Sequence, residues 1–238
     1  MPGDIPLHQN PNRLRKEPSS SISLSDPFTN IQCKICAREN SLSLYLGSDH
    51  ILTIQIEPKV LEEFFNRGSG CLEIESKFKI EDLPSNLNTP TAIQQAYLVI
   101  EENANELRIR SKNNSEFLLS VKVGKGRVRQ ELTLKITEEN YKQLVKLCCN
   151  RVIEKNRFKL PLATTPVLVI EIDEYLSTET GAKLAGLVIA EIEFPNTEIQ
   201  NNFDSQELLK VGINVIAEVT EDSKYSNQAL AASKTDTV

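Results

Sequence analysis

The 238-residue sequence has no tryptophan, only two histidines, and few aromatic residues, which make up 5% of the chain. Because His8 and His50 lie outside every patterned segment, acid–base or nucleophilic catalysis built on histidine is not expected. A basic excess is also missing, since 27 Lys and Arg stand against 33 Asp and Glu for a formal net charge of −6. Non-specific nucleic-acid binders are usually basic, so no nucleic-acid partner is expected.

Long apolar runs and a disulfide pattern are missing as well. No run approaches the roughly 18 residues of a membrane span, and the N-terminus has no apolar leader, so we expect a cytoplasmic protein without a membrane partner. The five cysteines are an odd number, which favours free thiols in a reducing compartment. Cys33 and Cys36 have CxxC spacing, but no second pair completes a zinc site, so ordinary thiols are expected.

The chain is long enough for one large domain with an extension, and 39% of its residues are hydrophobic. Prolines and a Ser-Ser-Ser run predict a disordered segment at residues 1–30, and 232–238 are predicted to form a disordered tail. Residues 31–70 predict an extension of unknown role, with one candidate strand at 50–57 and a helix that Pro58 opens. The main domain is expected at 71–231.

Six segments of the main domain alternate between apolar and polar or charged residues. They are 72–80, 106–110, 119–123, 127–136, 168–176 and 187–194. Period two over so many segments indicates antiparallel β-sheet. Helices are predicted at 137–149, capped by Thr137, and at 196–203, capped by Asn196. Few helices among many strands predict an α+β fold whose helices pack on the apolar side of the sheet.

The charged faces of these strands point to a ligand, although a face that simply meets water would explain any single strand. Glu73, Glu75 and Lys77 share one face, and Glu191 and Glu193 share another. Residues two apart on a strand lie about 6.5–7 Å apart, so paired carboxylates can serve one metal region. If the sheet closes with these faces inward, carboxylates and arginines meet in one lumen. The ligand that satisfies both signs is a polyphosphate with its metal ion.

The same strands resemble the CYTH domain, or triphosphate tunnel metalloenzyme superfamily. The family's E-x-E-x-K strand is matched at 73–77 and its R-x-R at 108–110. The series continues through QQAYL (94–98), SVKVGKGRVRQE (120–131), IEKNRFKL (153–160), EIDEY (171–175), LVIAEIEF (187–194) and EVTEDSKYSNQALA (218–231). The resemblance covers residues 71–231. It implies a closed antiparallel β-barrel, a tunnel with a charged lumen and helices outside, which binds a small-molecule triphosphate with Mg²⁺ or Mn²⁺.

The resemblance also implies roles for individual residues. Those expected around the metal are Glu73, Glu75, Glu131, Glu191 and Glu193. Those expected to bind phosphates are Lys77, Arg108, Arg110, Lys122, Arg129, Lys155, Arg157 and Lys224. The expected catalytic residues are Glu171, Asp173 and, again, Lys77.

Four positions depart from the family pattern. Ser76 replaces a usual arginine and is predicted to face outward, and Ala96 replaces a usual glycine. Lys79 replaces an apolar residue and adds positive charge at one end of the tunnel. Thr133 stands where the family has a second acid and is predicted to point inward, so its presence bears on metal affinity or substrate choice.

Two classes of function stay open. The set of acids and bases favours a hydrolase of tripolyphosphate or of nucleoside or thiamine triphosphate, with two-metal phosphoryl transfer to water. Within the enzyme class, a cyclase that makes cyclic AMP is the alternative. Thr133 and the N-terminal extension favour instead a non-catalytic polyphosphate- or nucleotide-binding module. Monomer and homodimer are both compatible with the sequence.

Overall fold

The computed structural model describes residues 21–66, 72–102, 104–124, 128–163, 167–177 and 184–232. Most of the predicted disordered segment (1–20) and nearly all of the predicted tail (233–238) lie outside these ranges, so those two predictions stay predictions. Within the described ranges, no helix is long and apolar enough to cross a membrane. The strands form two sheets, one of four strands and one of nine.

The first sheet is an antiparallel meander of four short strands. They are β1 (Ser21–Asp26), β2 (Ile31–Cys36), β3 (Ser41–Leu46) and β4 (Asp49–Gln55). The sequence predicts disorder through residue 30 and one strand at 50–57, so the structure corrects it over 21–46. The serines of β1 alternate with Ile22 and Leu24, which is the pattern of a half-buried strand. Asn30 and Asn40, at φ 57° and 48°, end the two turns, because asparagine tolerates the left-handed region.

This four-stranded sheet packs against the outside of the second sheet. Its apolar face and the helix α1 (Pro58–Phe65) share one buried cluster with strands of the second sheet. Asp26 ties the two parts together: its carboxylate accepts hydrogen bonds from the Ile100 backbone N at 2.9 Å and from the Arg151 guanidinium. The extension is therefore an integral layer of the described fold, which the sequence does not predict.

The second sheet closes into a barrel. Its eight barrel strands are β5 (Leu72–Ile80), β6 (Thr91–Ile100), β7 (Glu106–Lys112), β8 (Glu116–Val123), β9 (Val128–Lys135), β10 (Val152–Leu162), β11 (Leu168–Leu176) and β12 (Val188–Glu193). They pair antiparallel in the order β12-β11-β10-β6-β7-β8-β9-β5, and a further β12–β5 pairing closes the ring. A ninth strand, β13 (Val215–Glu218), adds to β5. The predicted fold class, a closed antiparallel barrel with helices outside, is confirmed.

Helices cover the apolar outer face of the barrel. The helix α2 (Glu138–Val145) has Thr137 as its N-cap, as predicted. The Thr137 hydroxyl accepts a hydrogen bond from the Asn140 backbone N–H at 3.1 Å. The helix α3 (Thr197–Asn201) begins at Asn196 in the same way. A 3-10 helix at Ser205–Val211 adds to the cover over β5, β10, β11 and β12. Most apolar residues of the alternating strands therefore face outward, as predicted.

One end of the barrel interior is apolar, and we call it the inner end. Tyr97, Ile153, Tyr175 and Ile189 point inward there and are at most 1% exposed. The helix α4 (Asn227–Ala232) packs against them and belongs to the same buried cluster. The barrel is therefore sealed at this end, and the charged side chains lie toward the other.

Candidate active site

A cavity of about 400 Å³ occupies the rest of the barrel interior. All eight barrel strands contribute to its wall. The predicted site residues that line it are Glu73, Glu75, Lys77, Arg108, Arg110, Lys122, Glu131, Arg157, Glu171, Glu191 and Glu193. It opens at the end opposite α4, which we call the open end, where Lys159 and Glu193 reach solvent. The alternating pattern thus brings most of the predicted residues into one chamber.

A first group of ion pairs joins β5, β8 and β9. Glu73 lies opposite Arg129 in the strand register. Its carboxylate accepts hydrogen bonds from Lys122 Nζ at 2.5 and 2.6 Å and from Arg129 Nη2 at 3.2 Å. The same Arg129 nitrogen also contacts Glu75 Oε1 at 3.2 Å. Burial opposes ionisation of Glu73, yet the charges of Lys122 and Arg129 hold its pKa below its ordinary value.

A second group of ion pairs centres on Arg157. Its guanidinium donates to both oxygens of Asp173 at 2.6 Å, to Glu191 Oε2 at 2.8 Å, and to Glu171. Lys77 Nζ donates to the other oxygen of Glu191, also at 2.8 Å. Burial works against the Glu191 charge, but Lys77 and Arg157 hold its pKa well below its usual range. Glu171, Glu191 and Lys77 meet because they are register partners across β11, β12 and β5.

A third group surrounds Glu131. Arg108 Nη2 donates to Glu131 Oε1 at 3.1 Å, and Lys122 Nζ lies 3.3 Å from its other oxygen. The Thr133 hydroxyl donates to Glu131 Oε1 at 2.9 Å. Thr133 lines the cavity, as the alternation predicts. Burial opposes ionisation of Glu131, and the charges of Arg108 and Lys122 lower its pKa well below its ordinary value.

Arg110 is a lining cation that this network does not neutralise. Its Nε donates to Gln95 Oε1 at 3.0 Å, and no described carboxylate lies within 4 Å of its guanidinium. Burial, together with the positive charges of Arg108 and Arg157, lowers its pKa to about 10. An anion at this position would relieve the desolvation and the repulsion together.

Glu193 is the corresponding anion. In the described part of the chain it has no ion pair within 4 Å. Burial and the nearby charges of Glu73 and Glu171 raise its pKa. Three strands separate β12 from β7 in either direction around the ring, so Glu193 and Arg110 belong to opposite walls. The cavity therefore has a cation without a described ion-pair partner on one wall and an anion without one on the opposite wall.

Lys155 and Asp173 take inward positions below the cavity, toward the inner end, and are 1% and 0% exposed. Lys155 Nζ donates to Asp173 Oδ2 at 2.5 Å and to Asn227 Oδ1 at 3.2 Å. The Tyr175 hydroxyl donates to the same Asn227 oxygen at 2.6 Å. Burial lowers the pKa of Lys155 to about 8, although Asp173 opposes the shift. Lys155 thus holds Asn227 and Asp173, and neither it nor Asp173 lines the chamber.

Some predicted positions lie away from the cavity. The Lys224 side chain is 69% exposed, pairs with Asp222 at 3.0 Å and does not line the chamber. Lys79 does not line it either; its Nζ lies 5.9 Å from the centroid of the Tyr225 ring. Ser76 lies on the outer face, as predicted, and accepts a hydrogen bond from Gln200 Nε2 at 3.3 Å.

Five lining residues are not predicted from the sequence: Thr91, Ile93, Lys112, Lys159 and Asn227. Lys112 and Lys159 extend the inward alternation of β7 and β10 by one step beyond Arg110 and Arg157, so the same period-two signal could have identified them. Asn227 comes from α4, outside the barrel strands, and no strand pattern reports it.

The cysteine pair is not a site. Cys33 is 1% exposed and faces the core, and burial raises its pKa to about 12. Cys36, three residues along the same strand, points to the other face. Every described cysteine is free. Cys71 lies outside the described residues.

A closed antiparallel barrel around a chamber of mixed charge defines a tunnel-type barrel protein. No protein-family model matches the sequence. The chain is 29% identical to the inorganic triphosphatase of Nitrosomonas europaea over 163 residues, which are 68% of this chain and 97% of that protein. A crystal structure of an inorganic triphosphatase is 26% identical, with a TM-score of 0.49, over 69% of this chain and 97% of that one. The match to that protein over nearly its whole length agrees with the resemblance of the sequence to the CYTH, or triphosphate tunnel metalloenzyme, superfamily.

The resemblance implies a divalent metal ion, and the lining carboxylates suit one in their chemistry. Hard cations prefer carboxylate oxygens, which Glu73, Glu75, Glu191 and Glu193 supply. Among the described residues, no three acidic, histidine or cysteine side chains already converge on one point. Glu73, Glu75 and Glu191 instead face Lys or Arg, while no described Lys or Arg forms an ion pair with Glu193. The set fits a metal once another anion occupies the basic partners.

Proposed function

We propose that this chain is a metal-dependent hydrolase of triphosphate substrates, which transfers a phosphoryl group to water inside the barrel with Mg²⁺ or Mn²⁺. The observation that carries the proposal is that Arg110 and Glu193 lie on opposite walls of one cavity and form no ion pair with any described residue. A triphosphate that arrives with its metal supplies both missing charges. A neutral or singly charged ligand supplies at most one.

Phosphate binding begins at the basic wall. Arg108, Arg110 and Lys112 succeed one another on the inward face of β7. The planar guanidinium presents parallel N–H groups that match phosphate oxygens, and Lys112 adds a point charge toward the open end. Lys77, Lys122, Arg129 and Arg157 would join them when they leave their carboxylates. Of the phosphate contacts expected from the sequence, the proposal leaves out Lys224, which is exposed and away from the cavity. Lys155 would act indirectly, by holding Asp173 and Asn227.

Metal binding is assigned to the acidic wall. Glu73, Glu75, Glu191 and Glu193 would hold the metal, with Glu131 beside them. When bound, divalent metal supplies neutralisation of phosphate oxygens and a water of lowered pKa, in the two-metal manner typical of phosphoryl transfer. Glu171 would position the attacking water from the wall. Asp173 would orient Arg157 through its two hydrogen bonds of 2.6 Å.

The ion pairs make the two ligands depend on each other. Lys77 with Glu191, and Lys122 with Glu73, are largely buried pairs. A metal that takes only the carboxylates would leave buried cations unpaired, and an anion that takes only the cations would leave buried carboxylates unpaired. Either outcome is costly in free energy. When metal and triphosphate bind together, each buried carboxylate exchanges its cation for the metal, and each buried cation exchanges its carboxylate for phosphate. We therefore expect metal and triphosphate to strengthen each other's binding.

Turnover by the full chain tests this function. Tripolyphosphate, ATP and thiamine triphosphate are each incubated with Mg²⁺, with Mn²⁺ or with EDTA, and phosphate release is measured. We expect release from at least one substrate with a metal and none with EDTA. Chromatography of the ATP reaction distinguishes a hydrolase, which forms ADP, from a cyclase, which forms cyclic AMP. No turnover of any substrate with either metal would overturn the enzyme proposal.

A non-catalytic triphosphate-binding module is the second candidate, and Thr133 favours it. Its hydroxyl stands on the cavity wall where the family pattern has a second acid, and it donates to Glu131. Fewer carboxylates weaken the hold on a metal without removing the basic wall. Calorimetry that finds tight metal–triphosphate binding without turnover would support the module.

A further inference from the structure

A second, more open pocket of about 520 Å³ adjoins the charged cavity at its open end. The two share Lys159, Glu171 and Glu193. The remaining described lining residues are all apolar: Val167, Leu168, Val169, Phe194 and Pro195. We call these five residues the apolar shelf. A ligand can therefore extend from the charged chamber onto the shelf without crossing a strand.

The shelf results from a change of residue type along β11. Asp173 and Glu171 occupy the inward register, and Val169 takes the next inward position toward the open end. Val169 is 43% exposed and Val167, just before the strand, is 68% exposed. Two valines that face water beside a chamber of buried charges contribute little apolar burial to the stability of the fold. Exposed apolar surface next to a binding cavity is typical of a ligand contact.

The sealed inner end decides which part of a ligand reaches the shelf. Tyr97, Tyr175, Ile189 and α4 close that end, so a group attached to a bound triphosphate cannot leave there. It must leave at the open end, past Lys159 and Glu193. Free tripolyphosphate carries no such group and would leave the valines in water.

We infer that the substrate is an organic ester of triphosphate, whose apolar or aromatic group lies on the shelf, in preference to free tripolyphosphate. This inference rests on the proposed function and specifies its substrate class. A pocket of about 520 Å³ suits a ring-bearing group. The shelf side chains are apolar, so contact would be hydrophobic and would distinguish poorly between one base and another.

A double substitution, Val167→Thr with Val169→Thr, tests the shelf because it keeps side-chain shape and adds hydroxyls. The matched control is Ile216→Thr, a β-branched residue that is 58% exposed on β13. Values of kcat and KM are measured for tripolyphosphate, methyl triphosphate, ATP and GTP with the metal that supports turnover. Calorimetry with adenosine β,γ-imidotriphosphate gives binding independently of hydrolysis.

We expect wild type to favour ATP over both tripolyphosphate and methyl triphosphate by about tenfold in kcat/KM, and ATP and GTP to agree within about threefold. The double variant should lower kcat/KM for ATP by about threefold to tenfold, through KM, and weaken the imidotriphosphate equally. Tripolyphosphate and methyl triphosphate should not change, and the control should match wild type.

Two results would overturn the inference. If the double variant leaves ATP unaffected, or slows tripolyphosphate as much as ATP, the shelf does not hold an organic group, while the hydrolase proposal survives. If wild type neither hydrolyses nor binds any of the triphosphates, the proposed function fails and the shelf inference fails with it.

Discussion

The inner end and the open end of the barrel use the same inward-facing strand positions for opposite purposes. At the inner end, Tyr97, Tyr175 and Ile189 bury apolar surface against α4 and need nothing from outside the protein. At the open end, Arg110 and Glu193 hold charges that no described residue neutralises. The difference shows that burial by itself does not make an inward position structural. What decides is whether the chain can satisfy the side chain internally.

A single strand shows both uses. Along β11 the inward register passes from Val169 through Glu171 and Asp173 to Tyr175. Asp173 is 0% exposed and its charge is satisfied by Lys155 and Arg157. Substitutions at the two ends should therefore separate activity from stability, and the following tests go from the largest expected effect to the smallest.

Removal of an acidic-wall charge should abolish activity without unfolding the chain. We expect Glu193→Gln and Glu73→Gln each to lower metal-dependent phosphate release by at least about 100-fold. Because Glu193 has no described cation, its replacement should leave the thermal transition unchanged or higher. Phosphate release and a thermal melt measure both, with Glu198→Gln on α3 as the exposed control. Wild-type activity in both variants would show that the acidic wall is not a metal site.

Truncation of a side chain at the inner end should lower stability and leave activity largely unchanged. Ile189→Ala removes a side chain that is 0% exposed, so the free energy of unfolding should fall by about 2–4 kcal/mol. Activity measured well below the transition should stay within a few-fold of wild type. Urea denaturation gives the stability, and Ile216→Ala on β13 should change it by less than about 0.5 kcal/mol. A decrease in the free energy of unfolding of less than about 1 kcal/mol would contradict tight packing at this end.

Arg110→Gln should weaken substrate binding without lowering the stability of the fold. Losing one charged hydrogen-bonding group should raise KM roughly tenfold. The free energy of unfolding should stay level or rise, because an uncompensated buried cation is removed. Steady-state kinetics and urea denaturation measure these, with Arg38→Gln as a surface control. An unchanged KM, or clear destabilisation, would give Arg110 a structural role instead.

The buried Lys155 should make the free energy of unfolding depend on pH. Burial lowers its pKa to about 8, so the folded chain binds this proton less tightly than the unfolded chain does. The cost is present below pH 8 and is relieved as the pH rises toward the ordinary lysine pKa of about 10.4. Over about the first pH unit of that window, wild type should gain roughly 1 kcal/mol relative to Lys155→Met in urea titrations. A constant difference would contradict this, and Lys142→Met on α2 serves as the exposed control.

The barrel could be predicted well from the sequence because its pattern is local. Alternation over β5, β7, β8, β9, β11 and β12 reports which face of a strand is apolar, and the structure keeps that face outward. The four-stranded sheet was not predicted over 21–46, because serine and proline content outweighed a short alternation around Ile22 and Leu24. Its packing on the barrel and the tie through Asp26 are long-range contacts, which no local pattern reports.

The site was predictable by face and less so by depth. Alternation places Glu73, Glu75 and Lys77 inward, and all three line the cavity. It cannot tell Asp173, which lies below the cavity toward the inner end, from Glu171, which lines the cavity. Lys224 matches a family motif, but its local turn directs it to Asp222 and solvent. The functional role of each residue stays a prediction until the variants are measured.

The sequence by itself determined which side chains share a face, since period two follows from backbone geometry alone. It thereby determined that acids and bases would meet on one side of a sheet. Only the tertiary structure decided which of them neutralise each other, because ring closure and register bring distant strands together. Closure joins Lys77 to Glu191 and leaves Arg110 and Glu193 without an ion pair to any described residue, and α4 seals one end. Those uncompensated charges depend on three-dimensional distance, which is why no local pattern could identify them.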